Sequence, residues 1–247
     1  MKIEISNLKK TFGENTAVDI NDFTIQSGEM LGLVGNNGAG KTTLFRLILD
    51  LLKADDGRVQ LTPRHDDTNA EQPAPSPIDP SRDEAWKSLT GAYIDEGFLI
   101  DFLTPEEYFH FIGKVSGLSQ DAVDEHVNQF EHFMGGEVIG QKKLIRNLSA
   151  GNKQKVGIIS TFLSRPQLVI LDEPFNFLDP TSQNILKHKL TEYNKETGAT
   201  ILVSSHNLAH TVDICPRIAL LEHGVVIRDL ANEAGSAKEE LENYFDS

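Results

Sequence analysis

The sequence predicts an α/β fold in which a mostly helical segment interrupts a core of strands and helices. Three observations lead to this prediction. A short apolar strand, a glycine-rich turn and a helical pattern follow one another near the N-terminus. Helical periodicity then occupies the middle of the chain, and strand patterns return after it. The chain has 247 residues, which is long enough to bury a full hydrophobic core.

Composition and charge exclude several classes of protein. The chain carries 23 Lys and Arg against 37 Asp and Glu, so its net charge is −14. Because nucleic acids repel such a surface, we expect no nucleic-acid partner. The single cysteine, Cys215, rules out an internal disulfide framework. No apolar run reaches the ~20 residues of a membrane span and no signal-peptide core is present, so we expect a soluble cytoplasmic chain.

The first sixty residues are predicted to form strands around one loop. Alternating apolar residues begin the chain, and a compact apolar run precedes the glycine-rich turn. The predicted strands cover residues 3–8, 22–26, 30–34 and 57–61, and the predicted helix covers residues 42–52.

Residues 62–84 differ in composition from the rest of the chain. They hold five of the ten prolines, and their acidic residues outnumber the two arginines, Arg64 and Arg82. Such a composition favours a solvated, partly disordered loop, although a binding role stays open.

Residues 86–164 are predicted to form a helical subdomain. Thr104 begins a capping box with Pro105 at the first helical position and Glu107 at the third. A stripe of apolar residues at helical spacing is more typical of a core than of a ligand site. This stripe consists of Val123, Val127, Phe130 and Met134.

The last third of the chain alternates strands with polar turns. Strands are predicted at residues 168–171, 199–204, 218–221 and 225–228. The sequence therefore predicts one domain over residues 1–232, followed by a helical tail at residues 233–247.

Residues 35–43, GNNGAGKTT, fit the pattern G-x-x-x-x-G-K-[ST] between a strand and a helix. Glycines allow backbone N–H groups to turn inward, and the start of the helix favours negative charge. Lys41 is predicted to reach the β- and γ-phosphates of a nucleotide, and the Thr42 hydroxyl to bind Mg²⁺. The predicted nucleotide-binding residues here are Gly35, Asn36, Asn37, Gly38, Ala39, Gly40, Lys41, Thr42 and Thr43.

An acidic pair follows the apolar strand at residues 168–171. Asp172 stands where a carboxylate can hold Mg²⁺ directly or through water. Glu173, one residue further on, is predicted to polarise an attacking water. Together with the glycine-rich loop, this pair predicts a nucleoside triphosphatase.

Between these motifs, residues 148–152 resemble the LSGGQ signature of the ATPase subunits of ABC transporters. The resemblance covers nearly the whole chain. It implies a P-loop, RecA-like core with an antiparallel β-layer and a helical subdomain, which hydrolyses ATP with Mg²⁺. The signature residues are Leu148, Ser149, Ala150, Gly151 and Asn152. Ala150 and Asn152 depart from the family pattern, whereas Ser149 and Gly151 keep it.

Four other positions acquire roles from this resemblance. Phe12 matches the aromatic residue that stacks on adenine, and core packing is the alternative for this side chain. Asp179 matches the D-loop, and His206 matches the switch histidine that contacts the γ-phosphate. Asp95 stands where the family usually has Gln or Glu, and it becomes a third candidate metal ligand with a shorter reach.

The resemblance also implies partners. In this family the signature residues serve the nucleotide of the opposite subunit, so ATP joins two chains; we expect the second to be another copy of this one. A separate transmembrane permease would hold the dimer on the inner face of the membrane. The apolar run at residues 98–103 is a candidate contact with that permease, and internal packing is an equal alternative.

Three functions stay open at this point. Residues 91–105 resemble exporter-type members, which favours an ATPase that powers export. The alternative is a soluble, non-transport ATPase of the iron–sulfur assembly or translation-associated kind. The single cassette and the charge of −14 oppose the translation-associated kind. Glu173 and His206 oppose a third possibility, a cassette that binds nucleotide only for regulation. The transported substrate cannot be derived, because specificity would reside in the permease.

Overall fold

The structure is a computed structural model that describes residues 1–65 and 75–245. Residues 66–74, part of the predicted acidic loop, lie outside the described residues. None of the helices in the two described ranges is long and apolar enough to cross a membrane.

A three-stranded antiparallel sheet forms the first layer of the fold. Its strands are β1 (Lys2–Phe12), β2 (Asn15–Ile25) and β4 (Asp56–Thr62). The order is β2-β1-β4, with Ile3 opposite both Ile25 and Leu61. Apolar residues alternate along β1 and face the core, as expected for a sheet that is covered on one side.

A six-stranded sheet forms the centre of the molecule. Its strands are β3 (Met30–Val34), β5 (Thr90–Tyr93), β6 (Leu168–Leu171), β7 (Thr200–Ser205), β8 (Arg217–Glu222) and β9 (Val225–Ala231). The order is β5-β6-β7-β3-β8-β9, and all neighbours are parallel except β8 and β9. These central strands are buried along their whole length, so β3 and β6 are apolar throughout, and β7 is apolar at residues 201–203.

Eight α-helices surround the two sheets in the described part of the chain. They are α1 (Lys41–Ile48), α2 (Pro105–Val115), α3 (Gln120–Asn128), α4 (Glu131–Met134), α5 (Ala150–Phe162), α6 (Pro180–Thr197), α7 (Leu208–Val212) and α8 (Ala237–Phe245). The predicted capping box is present, because Thr104 and Glu107 each accept a hydrogen bond from the other's backbone N–H. The predicted stripe from Val123 to Met134 is buried in the core.

Two predicted boundaries differ from the structure. The first helix ends at Ile48 rather than residue 52, because Asp50 adopts a left-handed backbone with φ 50°. The helical subdomain cannot begin at Trp86, because Thr90–Tyr93 forms the edge strand β5 of the central sheet. Gly91 permits this arrangement: a Cβ there would lie 2.0 Å from the carbonyl oxygen of Thr161 on α5.

The described end of the proline-rich segment joins the β-layer. Ile78 and Leu61 exchange two backbone hydrogen bonds of 2.8 and 2.7 Å. These bonds hold the returning chain beside β4, before it enters the central sheet at β5. The loop predicted at residues 62–84 is therefore ordered at this point.

At the C-terminus, α8 buries Ala237 and Leu241 in the same core cluster as Val212 and Cys215. The helix that carries these two residues occupies most of the predicted tail.

We expect Cys215 to resist alkylation in the folded chain. The side chain is 1% exposed, and burial raises the pKa of its thiol, so both access and thiolate formation are suppressed. Labelling with iodoacetamide is expected to be at least about a hundredfold slower than in denaturant. Equal rates in buffer and denaturant would contradict the packing of α7 and α8 around this residue.

Candidate nucleotide site

The glycine-rich loop connects β3 to α1 and is packed closely from both sides. A Cβ at Gly35 would lie 2.3 Å from the carbonyl oxygen of Leu221, and one at Gly40 would lie 2.3 Å from that of Ala17. Gly38 has φ 85° and open space around it. The glycines are therefore required by close approach and backbone conformation, and they leave the loop N–H groups free of side-chain cover.

Lys41 begins α1 and folds back along the loop. Its side chain is 6% exposed, and its Nζ donates to the carbonyl oxygens of Gly35 at 2.7 Å and Asn36 at 3.3 Å. The same Nζ lies 3.4 Å from Glu173 Oε1. A positive charge thus stands inside the loop, where phosphate oxygens would take over its contacts.

Thr42 and Asp172 meet although 130 residues separate them. Thr42 Oγ1 donates to Asp172 Oδ2, and Ser204 Oγ donates to Asp172 Oδ1. Mg²⁺ prefers oxygen ligands and commonly combines one or two carboxylates with phosphates and water. A carboxylate beside a hydroxyl fits that preference. No cluster of three or more His, Cys, Asp or Glu in residues 1–65 and 75–245 could hold a metal by itself.

Asp172 lies at the C-terminal end of β6, and its environment alters its acidity. Burial is the largest effect and raises the pKa of this carboxyl, while hydrogen bonds from Ser204 and Thr42 act in the opposite direction. The nearby Glu173 raises the pKa further, and Lys41 lowers it.

We expect Mg²⁺ affinity in the presence of ATP to fall as the pH falls. Protonated Asp172 is a poor ligand, and its raised pKa places the loss above the ~3.9 of an ordinary aspartate. Calorimetric titration of Mg²⁺ at several pH values measures this dependence. The variant Asp172→Asn is the control, since only the protonation of ATP itself should remain. Identical pH profiles for the two proteins would refute the assignment of Asp172.

Glu173 is held in a strained position directly after Asp172. Its φ is 47°, which is uncommon for a residue with a side chain. Its N–H donates to Ser204 Oγ at 2.8 Å, and its carbonyl oxygen accepts from Gln154 Nε2 at 3.2 Å. These two bonds fix the backbone, so the direction of the carboxylate is set by the surrounding strands and α5.

His206 follows β7 and contacts Glu173. Its Nδ1 lies 2.8 Å from Glu173 Oε2, and its N–H donates to the same oxygen at 3.2 Å. The structure therefore brings the residue predicted to polarise water together with the one predicted to contact the γ-phosphate. Lys41 Nζ lies 3.4 Å from the other oxygen, Oε1, of the same carboxylate.

The signature residues lie at the start of α5. Ser149 is the N-cap and accepts a hydrogen bond of 3.2 Å from the N–H of Asn152, whose amide reaches Glu137 at 3.4 Å. Ser149 and Ala150 are exposed, whereas Leu148 is buried. The N-terminus of this helix thus faces outward, where a phosphate from outside the chain could reach it.

Asp179 caps α6 in this chain. Its carboxylate accepts from the N–H of Ser182 at 3.0 Å and from the Ser182 hydroxyl at 2.5 Å. These bonds lower the pKa of Asp179. The predicted D-loop residue is therefore held in place by the helix that follows it.

Asp95 and Phe12 occupy different surroundings from the phosphate residues. Asp95 Oδ2 accepts from Arg46 at 2.9 Å, and Asp95 Oδ1 accepts from the N–H of Gly97 at 2.8 Å. The structure does not bring Asp95 into contact with the Thr42–Asp172 pair.

Phe12, the residue predicted to stack on adenine, is 51% exposed at the end of β1, and Lys10 Nζ lies 5.5 Å from the centre of its ring. Its ring is therefore open for stacking.

The sequence analysis assigned no role to two residues of the site, Ser204 and Gln154. Ser204 binds both Asp172 and the backbone of Glu173, and Gln154 supports Glu173 from α5. Ser204 offered one signal, since it is a polar residue that ends an apolar strand two positions before His206. Gln154 offered none, because its partner lies 19 residues away in another element.

Comparison with known proteins agrees with this geometry. The family model described as ABC transporter matches residues 18–176. The chain is 30% identical to the bacitracin transport ATP-binding protein BcrA of Enterococcus faecalis over 92% of this chain and 68% of BcrA. It is 29% identical to the tungstate uptake system ATP-binding protein TupC of Peptoclostridium acidaminophilum, over 92% of this chain and 97% of TupC.

A solved structure of an ATP-binding subunit of an ABC transporter has the same fold. The superposition gives a TM-score of 0.79 at 25% identity and covers 98% of this chain and 94% of the other. The predicted α/β fold with an antiparallel layer and a helical insertion is confirmed.

Proposed function

Because this chain belongs to the ABC transporter ATP-binding family and hydrolyses ATP, we propose that it powers substrate movement through a separate membrane-spanning subunit. The observation that carries this proposal is the convergence of Lys41, Glu173 and His206, beside the Thr42–Asp172 pair. Residues at the start of α1 and at the ends of β6 and β7 meet there with the chemistry that phosphoryl transfer to water needs.

In the proposed mechanism the loop N–H groups and Lys41 bind the β- and γ-phosphates of ATP. Thr42 and Asp172 would hold Mg²⁺, which would neutralise charge on the phosphates. Glu173 orients the attacking water and accepts its proton as the water oxygen bonds to the γ-phosphorus and the bond to ADP breaks. His206 donates toward the γ-phosphate and, through its contact with Glu173, keeps the carboxylate aligned. Phe12 stacks on the adenine ring.

A second copy of this chain completes each site in the proposal. Ser149 and the N–H of Gly151 lie at an exposed helix N-terminus, far along the chain from the glycine-rich loop, and they donate to the nucleotide of the partner. ATP then joins the two copies, and its hydrolysis releases them. This cycle of association supplies the movement that the membrane subunit uses.

The run at residues 98–103 supports a docking surface for the membrane subunit. Leu99 is buried, but Phe98 and Phe102 are 49% and 66% exposed. Two exposed aromatic side chains four positions apart in the sequence are typical of protein contacts. This contact would hold the chain on the inner face of the membrane. The resemblance of residues 91–105 to exporter-type members supports export as the direction.

The docking surface gives a direct test of the proposed function. The double variant Phe98→Ser and Phe102→Ser is expected to lose most of its membrane partner during isolation in mild detergent, because two aromatic anchors are removed. Val115→Ser is a matched control, since Val115 is 74% exposed but lies at the end of α2. ATP binding should be unchanged in both.

The parent chain decides between the two classes of function in the same experiment. Recovery of a stoichiometric multi-span protein supports the transporter proposal and indicates its substrate class. Recovery with soluble iron–sulfur cluster-assembly proteins or with ribosomes would contradict the transporter proposal. The assignment of ATPase activity would stand in either case.

A further inference from the structure

On the side that faces β4, the end of β1 is held by a carboxylate instead of a strand. The pairing of β1 with β4 ends where Lys9 lies opposite Asp56. Directly before that pair, the N–H of Asp55 donates to the carbonyl oxygen of Lys9 at 2.8 Å, and Asp55 Oδ2 accepts from the N–H of Thr11 at 2.7 Å. The side chain of Asp55 thus takes the place of a strand and fixes the backbone one residue before Phe12.

Asp55 also holds the side chain of Lys10. Asp55 Oδ1 accepts from Lys10 Nζ at 2.8 Å, and only 14% of the Lys10 side chain is exposed. The bond from Lys10 and, after it, the bond from Thr11 lower the pKa of the Asp55 carboxyl, so this group stays ionised at neutral pH. The lysine ammonium group, which a flexible stem would otherwise leave mobile, therefore has a fixed position.

The ammonium group of Lys10 lies over the ring of Phe12. Its Nζ is 5.5 Å from the ring centroid, which is within the range of a cation–π interaction. Phe12 is the residue predicted to stack on adenine, and it is half exposed at the end of its strand. An exposed ring loses rotational freedom when a ligand stacks on it, and this loss of entropy weakens binding. The contact with Lys10 restrains the ring in advance and leaves its opposite face for a base.

We propose that Lys10 and Asp55 are positioning residues for nucleotide binding, which hold Phe12 in the orientation that stacks on the base. The proposal rests on the proposed function, in which Phe12 contacts adenine. Asp55 acts through Lys10 and through the backbone of Thr11, and Lys10 acts through the ring. Their contribution is therefore to the affinity for the base and not to the hydrolysis of the γ-phosphate.

The test compares the affinity for ATP with the affinity for inorganic tripolyphosphate, which has no base, each in the presence of Mg²⁺. Calorimetric titration of the full chain measures both. Phe12→Ala is expected to weaken ATP binding at least about fivefold, because stacking on the base is lost. Lys10→Met and Asp55→Ala are each expected to weaken it about threefold, because the ring remains but is no longer restrained. All three variants should bind tripolyphosphate as the parent does.

Further measurements separate positioning from a general effect on stability. For Lys10→Met and Asp55→Ala, the KM for ATP should rise by the same factor while kcat is unchanged. Lys10→Arg keeps a cation over the ring and should bind ATP as the parent does. In a chain that already carries Phe12→Ala, adding Asp55→Ala should weaken ATP binding no further, since the ring on which Asp55 acts is absent.

A matched control is Asp19→Ala. Asp19 forms an exposed ion pair with Lys9 in the same sheet, with 3.5 Å between the carboxylate oxygen and Nζ. Its loss changes the charge by the same amount as the loss of Asp55. The affinities for ATP and for tripolyphosphate should both be unchanged.

The possible results separate the proposed function from this inference. If the parent chain does not bind and hydrolyse ATP, the proposed function fails and this inference with it. If Phe12→Ala binds ATP as tightly as the parent, the ring does not stack on the base and the inference is overturned, while the phosphate-binding residues keep their assignment. If Phe12→Ala weakens ATP binding but Lys10→Met and Asp55→Ala do not, only the positioning role is wrong. Equal losses of affinity for ATP and tripolyphosphate would place the effect at the phosphates and would also contradict the proposal.

Discussion

We expect Glu173→Gln to reduce ATP turnover by at least about a hundredfold while nucleotide binding is retained. The Glu173 carboxylate lies 3.4 Å from Lys41 Nζ and 2.8 Å from His206 Nδ1, beside the predicted position of the γ-phosphate. A glutamine side chain has nearly the same shape and can still contact His206, but it cannot accept a proton from water. Phosphate release measures turnover, and a fluorescent ATP analogue measures binding.

A matched control for this variant is Glu192→Gln, because Glu192 lies on α6 and pairs with Lys189 outside the site. It makes the same change of one charge and should keep full activity. Sustained hydrolysis by Glu173→Gln would show that another group activates the water. Loss of nucleotide binding would show instead that Glu173 holds the loop together through Lys41.

The second large effect is expected for Lys41→Ala. Its ammonium group is the charge inside the phosphate loop, and charge-assisted hydrogen bonds contribute ~1.5–3 kcal/mol each. The affinity for ATP should therefore fall about 10- to 100-fold. Affinity is measured by titration with the fluorescent analogue in the presence of Mg²⁺.

Folding of the Lys41→Ala variant must be checked separately. The substitution removes the donor to the carbonyl oxygens of Gly35 and Asn36, and it leaves Glu173 without one neighbouring cation. Thermal unfolding without nucleotide tests the first effect. Lys53→Ala on the surface serves as a control for charge. Unchanged ATP affinity in a folded Lys41→Ala variant would contradict the proposed nucleotide site.

Local strain recurs where the proposed chemistry takes place. Glu173 and Phe177 both have left-handed backbones, although neither is glycine. Glu173 is held there by Ser204 and Gln154, and its carboxylate therefore needs little reorganisation when substrate binds. The burial of Phe175 and Leu178 in the core offsets the free-energy cost of these strained backbone conformations.

Asp95 illustrates a residue whose surroundings change its interpretation. From the sequence it is a third candidate metal ligand, but in the structure Arg46 and Gly97 engage its two carboxylate oxygens. Arg46 belongs to α1, the helix that begins at the phosphate loop. The ion pair is about half exposed, so it adds little stability, and it links the segment before Phe98 to that helix.

The motifs and most of the helices and strands follow from the sequence alone, whereas the edge strand β5 lies inside the segment predicted to be helical. Strands, the capping box at Thr104 and the glycine-rich loop depend on residues within a few positions of one another, and periodicity and turn chemistry express such local preferences. The type of chemistry could likewise be predicted, because the glycine-rich loop that leads to Lys41 and the pair Asp172 and Glu173 each follow a strand, at the edge where parallel sheets bind ligands.

How these parts meet depends on the tertiary structure. The order of the central sheet places β6 beside β7, and this alone brings Ser204 to Asp172 and His206 to Glu173 across more than 30 residues. The same packing turned Asp95 toward Arg46 and left Phe177 outside. Contacts between distant segments depend on the whole set of packed neighbours, and no pattern within one segment encodes them.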